Sequence, residues 1–171
     1  MSNIARGRSL SKARRPWRLI PRYTVAMPPT DHSAVDPLVD AARRAAKNAH
    51  APYSGWHVGA AAVFAEAAGP PFVGANVENG SYGLSICAER TAISAGVVAG
   101  HRRLVRLALT CSDATGTRVA GIVPCGACLQ VIAEFGTPDT EILIDGGGGF
   151  RLADFLPRPF GTGVTVPRRG T

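Results

Sequence analysis

Two short phrases limit what this chain can fold into. Residues 84–91 read LSICAERT, and residues 123–130 read VPCGACLQ. Three of the four cysteines fall in them: Cys87 in the first, and Cys125 and Cys128 in the second, which begins its C-x-x-C 38 residues after Cys87. Both phrases open segments of helical pattern. C-x-x-C at a helix start puts two sulfurs on one side of the first turn, so a third must be delivered by tertiary structure. A fold that uses all three has to aim two helix N-termini at one point, where their positive ends favour thiolates over thiols.

The surrounding pattern alternates. DPLVDAARRAAKNA carries Leu38, Val39, Ala42, Ala45, Ala46 and Ala49 at helical spacing, and Pro37 suits a first turn. APYSG breaks that helix. WHVGAAAVFA and FVGANV read as strands joined through GPP, and ENGSYGLS is a loop leading to the helix ICAERTAISAGVVAG, ended by Gly100. RLVRLALTC is a strand of the buried kind, SDATGTRVAG a surface loop, CGACLQVIAEFG a helix, and TEILID a strand. The four glycines at 146–149 predict a flexible turn, and RLADFLPRPF a short helix stopped by Pro157. Strands alternating with helices imply a central sheet with helices on its faces, an α/β layer fold. No internal repeat interrupts it.

The net charge of +7 suggests a nucleic-acid partner until it is located. Residues 1–30 hold six Arg and Lys12 with no acid, whereas Asp31 to Thr171 holds twelve basic and twelve acidic side chains. The charge belongs to the leader, and the remainder is balanced, which argues against a nucleic-acid groove on the folded body. Residues 1–30 are expected to be a basic N-terminal extension: a solvated tail, or a start placed too early with Met27 as the true one. An Arg- and Ser-bearing transit peptide is the competing reading. Residues 31–171 are expected to form one domain. No apolar run approaches the ~20 residues that span a bilayer, so no membrane partner is expected, and the expected compartment is the cytoplasm.

The chemistry open to the cysteine trio follows from zinc. A catalytic zinc keeps three protein ligands and leaves its fourth position to water. Three thiolates on Zn²⁺ leave a net charge near −1, which weakens the acidity of that water. Arg90 could offset this by donating to the sulfurs. Glu89, two residues after Cys87, can face the open position and accept a proton. A redox pair or a closed structural zinc site competes with this reading. Pro124 before the first cysteine of the pair and the distant Cys-Ala-Glu both argue against it. Four cysteines of this kind do not suggest a disulfide framework. Cys111 ends a buried strand and is expected to be packing, and His57 and His101 sit in no ligand pattern.

Cys87-Ala88-Glu89 together with Pro124-Cys125-Gly126-Ala127-Cys128 resembles the cytidine deaminase family, in its small homotetrameric form with three cysteine ligands. The resemblance runs from about residue 35 to Phe160, through YSGWHVGAA, NVENGSYGLSICAERTA and DFLPRPF. It implies a three-layer α/β/α sandwich around a mixed sheet of about five strands. It further implies one Zn²⁺ per chain on Cys87, Cys125 and Cys128, and hydrolytic deamination of cytidine and deoxycytidine to uridine and deoxyuridine in pyrimidine salvage. By the same resemblance, water activated at the zinc attacks C4, and Glu89 takes its proton, delivers it to N3 and helps ammonia leave. The N–H of Ala88 would hold the base O2, Trp56 would flank the base, and Asn76 and Glu78 would take the ribose 3′-hydroxyl. The backbone near Gly80 and Tyr82 would reach the 5′ end of a substrate in a neighbouring subunit, and Phe160 would close over a neighbour's site.

Three positions depart from the family pattern. Trp56 stands where Phe is usual, Gly80 replaces Ala and is expected to loosen its loop, and Leu129 stands where Arg commonly follows the second cysteine. A carboxylate at Glu78 would repel a 3′-phosphate, which favours a free nucleoside over a strand. Two alternatives remain at this point. One is a deaminase of another cytosine nucleoside such as blasticidin S, which the ribose-directed NVEN disfavours. The other is a nucleic-acid-binding module with a structural zinc, for which Cys111 is the only spare cysteine.

Overall fold

The computed structural model describes residues 36–161; the predicted leader over 1–30 lies outside them. Helix α1 spans Pro37–Ala46 and is capped by Asp36, whose carboxylate accepts from the Leu38 amide at 2.8 Å, with Pro37 in the first turn. Strands β1 (His57–Phe64) and β2 (Phe72–Ala75) form an antiparallel pair. A short 3₁₀ turn over Tyr82–Leu84 interrupts the loop before helix α2 (Ala88–Val98). Gly100 follows with φ +98°, the left-handed conformation in which glycine ends helices without strain. Strand β3 (Leu104–Ser112), helix α3 (Gly126–Phe135), strand β4 (Glu141–Ile144), strand β5 (Gly148–Arg151) and the single-turn helix α4 (Leu152–Phe155) complete the order.

The sheet runs β2-β1-β3-β4-β5. Every neighbouring pair is antiparallel except β3 with β4, which α3 connects as a parallel crossover. The expected mixed five-stranded sheet is therefore present. The glycine run, read from sequence as a turn alone, is divided. Gly146 and Gly147 make the turn, and Gly148 and Gly149 enter β5, where they pair with Ile144 and Leu143.

Strand alternation sorts the core into two layers. Ala60, Ala62, Leu107, Leu109, Ile142 and Ile144 face α2 and α3, where they meet Ala88, Ala92, Ile93, Leu129 and Ile132. Ala61, Ala108 and Leu143 face the other way, onto Leu38, Val39, Ala41 and Ala42 of α1. The architecture is the three-layer α/β/α sandwich. Leu129, one of the departures from the family pattern, is 8% exposed within the larger core; an apolar side chain there replaces a cation with packing.

Two glycines allow the helices to lie flat on the sheet. A Cβ at Gly59 would meet the Ala46 amide nitrogen at 2.6 Å, and one at Gly74 would meet the Ala88 carbonyl at 2.6 Å. The second matters for function, because Gly74 supports the first turn of α2. Among the described residues, no helix is long and apolar enough to cross a membrane.

Candidate active site

Cys87 and Cys125 are the N-cap residues of α2 and α3. Both have extended backbone (φ −77°, ψ 155° and φ −70°, ψ 162°), and neither sulfur makes a capping bond to its own helix. The sulfurs are thus free to turn toward each other. Cys128 comes from the first turn of α3 and is fully buried, Cys87 is half-buried and Cys125 exposed. All three sulfurs lie within 4.8 Å of one another. Thiolates tetrahedrally placed at ~2.3 Å from one zinc stand about 3.8 Å apart, so this donor set and spacing fit one Zn²⁺.

The electrostatics favour a thiolate at Cys87. The Cys128 thiol donates to Cys87, and the Arg90 guanidinium adds to it against burial, so Cys87 is drawn down to about 5. Cys128 moves the opposite way, because its proton is held in that hydrogen bond and the sulfur is buried. Arg90 donates to the Ser85 carbonyl at 3.1 Å, and its Nη2 stands 3.9 Å from the Cys87 sulfur. Among the described residues, the Arg90 Nε is buried with no partner.

Glu89 is 4% exposed. Burial is the main influence on its carboxyl and raises its pKa above the ordinary glutamate value, with the nearby Cys87 adding to the rise. It lines a cavity of about 270 Å³ with Cys87, Cys125, Ala88, Trp56, Asn76 and Glu78. Seven of the predicted site residues are therefore brought to one hollow, with Cys128 behind it.

The polar wall of that hollow is already cross-braced. The Asn76 amide donates to the Trp56 carbonyl at 2.9 Å and accepts from the Val58 amide at 2.8 Å, fastening β2 to the start of β1. Glu78 accepts from the Ser54 hydroxyl at 2.5 Å and from the Tyr53 and Ser54 amides at 2.9 and 3.2 Å. The Ser54 hydroxyl is the first cause of a Glu78 pKa below the usual carboxylate value. Sequence reasoning passed over Ser54, Ile122 and Val123, which also line the cavity. Ser54 was visible in the helix-breaking APYSG and in the family-like YSGWHVGAA but with no role of its own, and Ile122-Val123 as an apolar pair directly before Pro124.

Besides Cys128 and Arg90, three predicted residues do not line the cavity. Gly80 and Tyr82 lie on the loop before α2, where the Tyr53 and Tyr82 rings meet edge-on at 5.9 Å. The Tyr53 hydroxyl lies 2.9 Å from where a Cβ at Gly80 would stand, so an alanine there would press on the end of the Tyr53 side chain. Phe160 is 78% exposed, away from the cavity of its own chain. His101 packs against Phe72 and Phe64, and His57 lines a separate cleft of about 530 Å³ with Arg43, Arg118 and Asp145. Cys111 is 1% exposed, as a packing residue should be.

Known proteins share this arrangement. Residues 33–144 match the family model described as the cytidine and deoxycytidylate deaminase zinc-binding region. The chain is 45% identical over 121 residues to the cytidine deaminase of Mycobacterium tuberculosis, covering 70% of this chain and 84% of that protein. The crystal structure of cytidine deaminase from the same organism is similar with a TM-score of 0.62 at 41% identity, over 75% of this chain and 99% of the other. That from Burkholderia pseudomallei has a TM-score of 0.63 at 40% identity, over 77% and 99%. With both cysteine phrases inside the matching stretch and the fold shared over three quarters of its length, this chain belongs to the cytidine deaminase family.

Proposed function

We propose that this protein hydrolyses the exocyclic amine of cytidine and deoxycytidine, consuming water and releasing ammonia with uridine or deoxyuridine. The observation that carries the reading is Glu89, a carboxyl 4% exposed on the wall of a cavity lined also by Cys87 and Cys125, with the buried Cys128 sulfur beside theirs. When held by Cys87, Cys125 and Cys128, Zn²⁺ supplies Lewis acidity that lowers the pKa of the water it polarises.

The remaining work falls to the chain itself. Glu89 takes a proton from water, carries it to N3 of the base and then assists departure of the amine; a carboxyl whose pKa burial has raised exchanges protons more readily at neutral pH. The Ala88 N–H, at the N-terminus of α2, is a donor for the base O2. Trp56 stacks on the ring, and the spare donor and acceptor capacity of Asn76 with Glu78 reads the ribose 3′-hydroxyl. Arg90 offsets the negative charge of three thiolates.

The substrate in this reading is a free nucleoside. Both charged side chains lining the hollow, Glu78 and Glu89, are acids, and no Lys or Arg is among the described residues that line it. A phosphate placed there would meet two acidic side chains and no basic one. The acting unit is one domain over residues 31–171, assembled as a homotetramer with sites shared between subunits. Gly80 and Tyr82 address the 5′ end of a neighbour's substrate, and Phe160 covers a neighbour's site. The exposed side chains of Tyr82, Leu84 and Phe160 support that assembly. A cytoplasmic setting suits a site that needs three reduced cysteines.

An ultraviolet assay on purified protein tests the reading, with zinc measured in the same sample. Cytidine should be converted, one zinc per chain should be found, and 3′-cytidine monophosphate should be left nearly untouched. Zinc-replete protein that leaves cytidine unchanged would overturn it.

A further inference from the structure

Gln130 lies on α3 two residues beyond Cys128, on the side of the helix away from the sulfur cluster: Cys128 is fully buried, whereas Gln130 reaches the surface. Its side-chain amide makes two hydrogen bonds to one residue 30 positions away. Nε2 donates to the Phe160 carbonyl at 2.9 Å, and Oε1 accepts from the Phe160 amide at 3.0 Å. Both backbone groups of Phe160 are thus held by a single side chain, as a neighbouring strand would hold them. The Phe160 ring gains no matching support and stands 78% exposed. A large apolar ring in water is an ordinary surface feature; one whose backbone is clamped at both polar groups leaves the chain from a fixed point and along a fixed Cα–Cβ direction.

The nucleoside cavity lacks what Phe160 offers. Trp56 at its rim is 52% exposed and Val123 is 55% exposed, and Phe160 of the same chain does not line it. We infer that Gln130 is a positioning residue: it fixes the segment bearing Phe160 on the outer side of α3, so that the ring projects from a set place to cover the nucleoside cavity of a second copy of this chain. The inference rests on the proposed function and adds to it the residue that sets where the cover is anchored.

Anchoring should act on substrate binding more than on chemistry, because a segment already held in place loses less freedom when its ring closes over a ligand. Gln130→Leu keeps the bulk of the side chain and removes both hydrogen bonds. The expected result is an about tenfold rise in KM for cytidine, equivalent to about 1.4 kcal/mol, with kcat changed by about twofold or less. Zinc content and the thermal midpoint should stay at wild-type values. Phe160→Ala should raise KM at least as far, and adding Gln130→Leu to Phe160→Ala should change nothing more, since the first residue acts only through the second. An unchanged KM in Gln130→Leu, or effects that simply add in the double variant, would overturn the inference while leaving the proposed function standing. A wild-type protein inactive on cytidine would remove the reading beneath it and the inference together.

Discussion

Gly74 of β2 lies directly beneath Ala92 of α2, so close that a Cβ at 74 would fall inside van der Waals contact with the Ala92 amide nitrogen. The same Cβ would stand 2.6 Å from the Ala88 carbonyl and 2.9 Å from the Thr91 Cβ. The contact groups are mostly backbone, so they cannot swing aside. The depth at which α2 sits on the sheet, and with it the position of Cys87 and Glu89, is set by the missing side chain.

Gly74→Ala is expected to destabilise the fold by about 1–3 kcal/mol, the range for adding a methyl to a packed interior. Urea unfolding followed by circular dichroism measures it. Because α2 must lift to make room, zinc retention during dialysis should fall as well.

Replacing Glu89 by Gln keeps the shape of the side chain and removes its ability to accept a proton. Turnover of cytidine should fall by about 10²- to 10⁴-fold, the usual weight of a positioned acid–base group. Zinc stoichiometry should be unchanged, and cytidine should still bind in an equilibrium titration. Near-normal turnover in this variant would exclude Glu89 as the proton carrier.

The three cysteines should differ in how much the fold depends on them. Cys128 is fully buried and Cys125 is exposed, so Cys128→Ser should lower the thermal midpoint further than Cys125→Ser, although both should lose zinc and activity. Prolonged treatment with a strong chelator should abolish turnover and lower the midpoint of the wild type, and added Zn²⁺ should restore both. Metal analysis and calorimetry on the same samples read the outcome.

Asp145 gives the stability a defined acid limb. Burial would raise its pKa, but the Arg43 guanidinium at 2.7 and 2.8 Å, the Thr110 hydroxyl at 2.7 Å and the nearby Arg118 outweigh it, and the folded value lies below the ordinary aspartate value. A carboxylate depressed on folding stabilises the protein above its unfolded pKa of about 4, and that share is lost as pH falls from there toward the folded value. In urea midpoints taken from pH 6 to pH 3, Asp145→Asn should be less stable than wild type at pH 6, and the gap should narrow below about pH 4. A gap that stays constant would mean Asp145 does not carry this dependence.

Much of this was readable before any coordinates. The period of α1 and the buried strands β1 and β3 follow from apolar spacing, and the trio of cysteines follows from Cys-Ala-Glu and Pro-Cys-Gly-Ala-Cys. What remained hidden depends on contacts between distant segments. Strand β5 begins at Gly148-Gly149, residues with little strand preference of their own, and exists because β4 supplies a partner. Asn76 reads as a ligand-facing amide, yet its first partners are the Trp56 and Val58 backbones, which no local pattern announces. Gly80 shows the same dependence: the group nearest its missing side chain, the Tyr53 hydroxyl, comes from the separate APYSG segment.

The pairing of Arg43 with Asp145 also has a consequence for how the chain is made. The two residues are 102 positions apart, so at about 5–20 residues per second on the ribosome helix α1 emerges some 5–20 s before its acidic partner has been synthesised. The nascent helix must therefore shelter its apolar stripe by other means until the second half of the sheet arrives.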